Sequence, residues 1–142
     1  MNDDRSREQF LQALQLCQSL VNFPRKPSTY PCEAIELFCE VGKSPTRLLE
    51  LVSEYEAEVT QADRAVESYA RGIDNWKGEN CPFGMKDHCD ILHFFLNVKS
   101  KRFTFFRGRN FTPQLICDFL QEWKGIDLTS LLVESPSSLL PN

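Results

Sequence analysis

The residues with the side chains for metal binding are two histidines and six cysteines in a chain of 142 residues. Cys81, His88, Cys89 and His93 lie close together in the sequence and have side chains that zinc prefers. Their spacing is not that of a zinc motif, because there is no tight C-x2-C or H-x3-H pair and seven residues separate Cys81 from Cys89. We therefore expect no cofactor, with a structural zinc at these four residues as the alternative.

Nucleophilic catalysis would have to use the same two imidazoles. A Cys or Ser nucleophile needs a neighbouring base, and His88 and His93 are the only histidines in the chain. The sequence contains no G-x-x-x-x-G-K-[ST], G-x-G-x-x-G, H-E-x-x-H or G-x-S-x-G motif. Nucleotide-binding, zinc-protease and serine-hydrolase functions thus have no support, and we predict that the protein is not an enzyme and has no catalytic residues.

Residues 91–117 combine basic and aromatic side chains. This segment holds five basic residues, six of the eleven Phe and no acid, although the whole chain carries a net charge of −4. The remainder has eleven basic and twenty acidic residues, a net charge of −9. Basic side chains neutralise phosphates and aromatic rings stack on unpaired bases. The candidates for binding nucleic acid or an acidic protein surface are Lys99, Lys101, Arg102, Phe106, Arg107 and Arg109. The structural alternative is that the Phe rings are core and the basic residues form a solvated strand edge.

Apolar residues repeat at alternating steps of four and three along the middle of the chain, as at the a and d positions of a coiled coil. This heptad seam consists of Leu48, Val52, Tyr55, Val59, Ala62, Val66, Tyr69 and Ile73. Ser44 is a suitable N-cap, Pro45 suits the first helical position and Gly72 suits the end. The pattern predicts one helix of about 28 residues, about 42 Å long. The N-terminal helix predicted over residues 5–21 is near 25 Å and is too short to cover it.

A β-hairpin is predicted around the basic segment. Residues 91–98 form an apolar run that fits either a buried strand or the continuation of a helix that starts at Met85. Over residues 101–107, phenylalanines alternate with other side chains, which indicates a second strand. We predict a helix that passes into a strand near His93, with residues 99–101 at the hairpin tip.

The remaining elements are helices with clear ends. Pro31 and Gly42 suit the start and end of one helix, and Thr112 with Pro113 and Gly125 suit those of another. The latter has a broad apolar face of Leu115, Ile116, Phe119, Leu120 and Trp123. We predict an α+β domain that is mostly α, a helical bundle with one long heptad helix and a small antiparallel β-hairpin. It spans residues 1–132 as a single globular domain, and residues 133–142 form a flexible Ser/Pro-rich tail.

The seam is longer than the helices available to cover it, so either the bundle closes over it internally or a partner covers part of it. From this we predict a non-enzymatic protein–protein interaction subunit or adaptor of a larger intracellular assembly, which uses the seam and the apolar C-terminal helix. The partner is another protein or a second copy. The predicted partner-binding residues are Leu48, Val52, Tyr55, Val59, Val66 and Tyr69. The alternative function is binding of RNA or single-stranded DNA through the basic, Phe-rich hairpin at residues 99–111.

The chain carries no sequence signal for secretion or membrane insertion. Its first ten residues are charged, and no apolar run approaches the roughly 20 residues of a membrane span. We expect an intracellular protein, cytoplasmic or nuclear, that does not bind membranes. Its cysteines are then expected to be reduced, with several acting as small apolar core residues.

Overall fold

A computed structural model describes residues 4–20, 30–72, 85–103 and 111–133. Within these ranges the chain forms seven α-helices packed as a bundle, and no residue of them lies in a β-strand. The helices are α1 (Asp4–Ser19), α2 (Tyr30–Gly42), α3 (Pro45–Glu54), α4 (Glu56–Gly72), α5 (Met85–Leu96), α6 (Pro113–Lys124) and α7 (Thr129–Val133). The helical bundle is confirmed. Among the described residues, none of the helices combines the length and the apolar character that a membrane span requires.

The predicted β-hairpin is wrong, and with it the α+β class. The residues assigned to its first strand form the second half of α5, and a turn follows at residues 97–101. Every residue from 91 to 96 is buried, so this stretch of α5 is covered on all sides. An apolar run of this kind has no periodicity to separate a buried strand from a buried helix. Residues 101–103 are not in a strand either, and residues 104–110 lie outside the described part of the chain.

The predicted single heptad helix is also wrong, because α3 and α4 are separated at Tyr55. The backbone of Tyr55 has φ −112° and ψ 45°, outside the helical region. Its N–H donates to the Leu51 carbonyl and its carbonyl accepts from the Val59 N–H, both at 2.9 Å. The chain therefore bends while keeping these two helical hydrogen bonds. After the bend, α4 packs on α1 and α5, whereas α3 packs mainly on α2.

Local signals at the helix ends are confirmed. The Ser44 hydroxyl accepts a hydrogen bond from the Arg47 N–H at 3.4 Å, and the Thr112 hydroxyl accepts one from the Leu115 N–H at 3.1 Å. Gly125 follows α6 with φ 71°, and its N–H donates to the Gln121 carbonyl at 2.8 Å. These contacts satisfy polar groups that a helix leaves unpaired at its ends.

The centre of the bundle is a cluster of aromatic rings from three helices. Phe38 of α2 stacks on Phe95 of α5 with ring centroids 5.2 Å apart, and Phe10 of α1 meets Phe38 edge-on at 5.8 Å. Phe94 of α5 stacks on Phe103 at 5.4 Å. Large rings in such pairs dominate core energetics, and Phe38 of α2 connects the ring of α1 with the rings of α5.

The C-terminal segment closes the bundle. Leu128 and Leu131 are buried, and a Cβ atom placed on Gly42 would lie 3.3 Å from Leu128 Cδ2. The absence of a side chain at Gly42 therefore allows this segment to pack closely on the end of α2. The predicted tail at residues 133–142 begins at the last residue of α7 and otherwise lies outside the described residues.

Candidate interaction surface

The heptad seam lies inside the bundle. Tyr55 is half-buried, and the other five predicted partner-binding residues, Leu48, Val52, Val59, Val66 and Tyr69, are at most 5% exposed. Ala62 is buried as well, and Ile73 lies outside the described residues. The helices that pack on α3 and α4 are the chain's own α1, α2 and α5. In this conformation a partner has no access to the seam.

An acid–imidazole contact joins α4 to α5. His93 Nδ1 contacts Asp63 Oδ1, and Asn97 Nδ2 donates to Asp63 Oδ1 at 3.1 Å and to the His93 carbonyl at 3.0 Å. A carboxylate that orients an imidazole is a familiar part of catalytic sites. Here the imidazole is 1% exposed, so a substrate has no path to it in this conformation, and the contact holds the two helices together.

The described residues of the alternative zinc site, His88, Cys89 and His93, do not form a metal-binding cluster. His88 and His93 are five positions apart on α5, which places them roughly 140° apart around the helix. No group of three or more His, Cys, Asp or Glu within the described residues has the geometry to hold a metal ion. Cys81 lies outside these residues, so the alternative stays a prediction.

Burial also suppresses the reactivity of the titratable groups in the core. Burial lowers the pKa of His88 to about 4, so the imidazole is neutral at pH 7. Burial raises the pKa of Cys39 and of Cys117 to about 12, and raises that of Cys17 as well. Thiols of this kind stay protonated, whereas nucleophiles and metal ligands are thiolates. With Cys89 also buried, these cysteines act as small apolar core residues, as predicted.

The described basic candidates have different surroundings. Lys99 Nζ lies 3.4 Å from Glu56 Oε2 of α4, and Lys101 Nζ donates to the Leu131 carbonyl of α7. The Arg102 side chain is exposed and forms no ion pair within the described part of the chain. Two of these cations thus join the turn after α5 to α4 and α7. Phe106, Arg107 and Arg109 lie outside the described residues.

The apolar C-terminal helix, which the sequence predicted as a partner-binding element, is α6, and part of its apolar face remains partly exposed. Leu115, Phe119 and Trp123, which we call the α6 ridge, follow one another at steps of four residues. Leu115 is 44% exposed, and Phe119 and Trp123 are partly exposed. Next to this row on the helix circumference, Ile116, Cys117 and Leu120 are fully buried in the bundle, and Phe119 and Trp123 also pack against that core.

The sequence contained a signal for this division. At 100° per residue, the apolar positions of α6 from Leu115 to Cys117 cover roughly 200° of the helix circumference. A helix at the surface of a bundle buries an apolar stripe upwards of about 100° wide. The excess width indicates that some of these positions face solvent, but the pattern does not say which ones.

The α6 ridge is bordered by acidic side chains. Asp118 and Glu122 are exposed, and Gln114 Nε2 donates to Asp118 Oδ1 at 3.0 Å. Neither carboxylate forms an ion pair within the described part of the chain. Lys124, the one cation of α6, lies 3.5 Å from Glu36 of α2 and 4.8 Å from the centroid of the Trp123 ring. The solvent-facing edge of the ridge is therefore negative.

Comparison with known families and proteins adds no functional clue. No protein-family model, curated protein or solved structure matches this chain. Among the surfaces described above, the α6 ridge is the accessible apolar one.

Proposed function

We propose that the protein is a non-enzymatic interaction subunit or adaptor of a larger assembly, and that it binds its partner through the α6 ridge. The observation that carries the proposal is a row of three large apolar side chains that the bundle leaves partly exposed. Among the described residues, Leu115 is the most exposed large apolar side chain, and it begins this row.

The ridge has the size and composition of a recognition element. It spans nine residues, or about 12 Å along the helix axis. Tryptophan is enriched among residues whose truncation weakens protein complexes by 2 kcal/mol or more, and aromatic residues as a class are enriched in interfaces. The ridge sits on a helix that is capped at both ends and anchored by buried residues, so little conformational entropy is lost on binding.

The heptad seam, which the sequence-based prediction used as a partner-binding surface, has no such role in this proposal. Because Val59 and Val66 are buried, replacing them with lysine would place charges in the core and unfold the bundle rather than test an interface. The substitution that tests the proposal is Leu115→Asp, since Leu115 is the most accessible member of the ridge. Gln12→Asp on α1 is the matched control, because Gln12 is also exposed on a helix and the change adds the same charge.

The experiment is affinity purification from cells that naturally contain the protein, with quantitative mass spectrometry of the captured proteins. We expect a partner that wild type and Gln12→Asp capture equally and that Leu115→Asp loses by at least about tenfold. Circular dichroism must show equal helicity for all three proteins. A captured set that does not change with Leu115→Asp would refute the role of the ridge.

The second candidate is binding of RNA or single-stranded DNA. The exposed Arg102 side chain, in a segment with five basic residues and no acid, favours it. The test is fluorescence anisotropy with a labelled single-stranded oligonucleotide at low salt. Weaker binding by Arg102→Glu than by the control Arg5→Glu on α1 would support this function, whereas no binding by wild type would eliminate it.

A further inference from the structure

We propose that the partner of the α6 ridge is an amphipathic helix that carries lysine or arginine beside its apolar face. This inference rests on the proposed function, because it names the chemistry of the partner that the ridge would bind. It combines two independent properties of α6, the spacing of its partly exposed apolar residues and the sign of the charges next to them.

The apolar spacing suits a helix as the occupant. Leu115, Phe119 and Trp123 form a straight row at i, i+4 and i+8, and rows of this kind fit the grooves between side chains on a second helix. Leu115 and Phe119 lie about 6 Å apart along the axis, which is also the rise over four residues of the partner. An extended strand would need unpaired backbone groups to bond with, whereas the interior of α6 already pairs its own.

The charges determine which kind of helix. On a helical projection, Asp118 and Glu122 lie on the solvent side of the line through Leu115 and Phe119, separated from each other by four residues. Both carboxylates are exposed and unpaired by any described cation. A partner with Lys or Arg at positions four residues apart would pair with both of them, and the net charge of −4 attracts such a partner over longer distances.

The same charges argue against other occupants. In an antiparallel two-fold contact between α6 helices of two copies, the acidic edges would face each other, because each edge then lies opposite the same edge of the other copy. Like charges in that position weaken association. Phosphate groups of a nucleic acid or an anionic membrane would be repelled by the acidic edge in the same way.

The probe for the test is a fluorescein-labelled synthetic peptide of 18 residues made of Leu, Ala and Lys, with Leu on one helical face and Lys beside it. A matched peptide has Glu in place of Lys. Anisotropy titrations use the full chain as wild type, as Leu115→Asp, and as the charge reversal Asp118→Lys with Glu122→Lys. The control is Glu8→Lys, an exposed acid of α1 that has no ion pair in the described chain.

We expect the Lys peptide to bind wild type and Glu8→Lys with similar affinity, and to bind Leu115→Asp and the charge reversal at least about tenfold more weakly. The charge reversal should prefer the Glu peptide, and added salt should weaken the wild-type complex. Equal binding of both peptides to wild type, or binding that is insensitive to either set of substitutions, overturns the inference. Dimerisation of wild type that Leu115→Asp abolishes, measured by light scattering, also overturns it, because a second copy would then occupy the ridge.

Capture of partners from cells by Leu115→Asp and by the charge reversal distinguishes failure of this inference from failure of the proposed function. If Leu115→Asp removes the partner captured from cells but the charge reversal does not, the interaction role stands and the partner class proposed here is wrong. If neither substitution changes the captured proteins, the interaction role of the ridge itself is wrong.

Discussion

Between pH 7 and pH 5, the free energy of unfolding is expected to fall by about 2 kcal/mol less in His88→Gln than in wild type. The His88 side chain is fully buried on α5, and burial lowers its pKa to about 4 from an ordinary value of 6.5. On unfolding, the imidazole returns to water and takes up a proton at any pH below about 6.5. The unfolded state therefore binds more protons than the folded state between pH 6.5 and 4, and stability falls as the pH falls through this window.

The magnitude follows from the two pKa values. Protonation of the unfolded chain, relative to the folded chain, favours unfolding by a factor of about 30 at pH 5 and about 1.3 at pH 7. These factors correspond to about 2.0 and about 0.2 kcal/mol. A domain of this kind has a free energy of unfolding of about 5–15 kcal/mol, so the effect of this one group is measurable.

The assay is urea unfolding followed by circular dichroism at pH 5, 6 and 7, for wild type and His88→Gln. The quantity of interest is the change in unfolding free energy with pH, because any general destabilisation by the substitution is the same at each pH. Exposed carboxylates contribute to both proteins alike. A variant whose stability falls as steeply as that of wild type would show that His88 does not gain a proton on unfolding. His88→Asn serves as the second variant if His88→Gln does not fold.

Three further predictions concern local structure. Gly125→Ala should lower the free energy of unfolding by about 1 kcal/mol through backbone strain at φ 71° alone, since an added Cβ meets no atom within 4 Å. Gly125→Asn should lower it less, and an equal loss in the two variants would contradict this explanation. Thr112→Ala should lower the free energy of unfolding by about 1 kcal/mol in the same urea titration, because it removes the N-cap of α6, whereas Thr112→Ser should keep the wild-type stability. Unchanged stability of Thr112→Ala would contradict the capping role. In native protein at pH 8, iodoacetamide should modify Cys32, which is partly exposed, well before the buried cysteines, as peptide mass spectrometry would show. Equal labelling of buried Cys17 under the same conditions would be inconsistent with this packing.

The failure of the hairpin prediction has a physical cause in α5. A strand must find its hydrogen-bond partners on another segment, whereas a helix satisfies its backbone internally. Residues 91–96 have no polar side to reveal a period, because the bundle covers them on every side. Met85, Cys89 and Leu92 carried the helical signal, and the helix they begin continues through the apolar run.

The heptad seam shows what a pattern of spacing leaves open. The alternation of steps from Leu48 to Tyr69 is the same for one straight helix and for two helices joined by a bend at Tyr55, since a single non-helical residue does not alter the count. Packing decides between them, because α2 covers α3 while α1 and α5 cover α4. The seam needed no partner once these helices closed over it.

The sequence by itself determined the helix ends that carry capping residues and the helical character of most of the chain, because caps such as Ser44, Thr112 and Gly125 act on backbone groups a few residues away. Tertiary structure decided that residues 91–98 complete a helix and a turn, that the seam bends at Tyr55, and that Leu115 faces solvent while Ile116 is buried. Those outcomes depend on which helices pack on which faces. That information is distributed over contacts between residues far apart in the sequence, so no local pattern contains it.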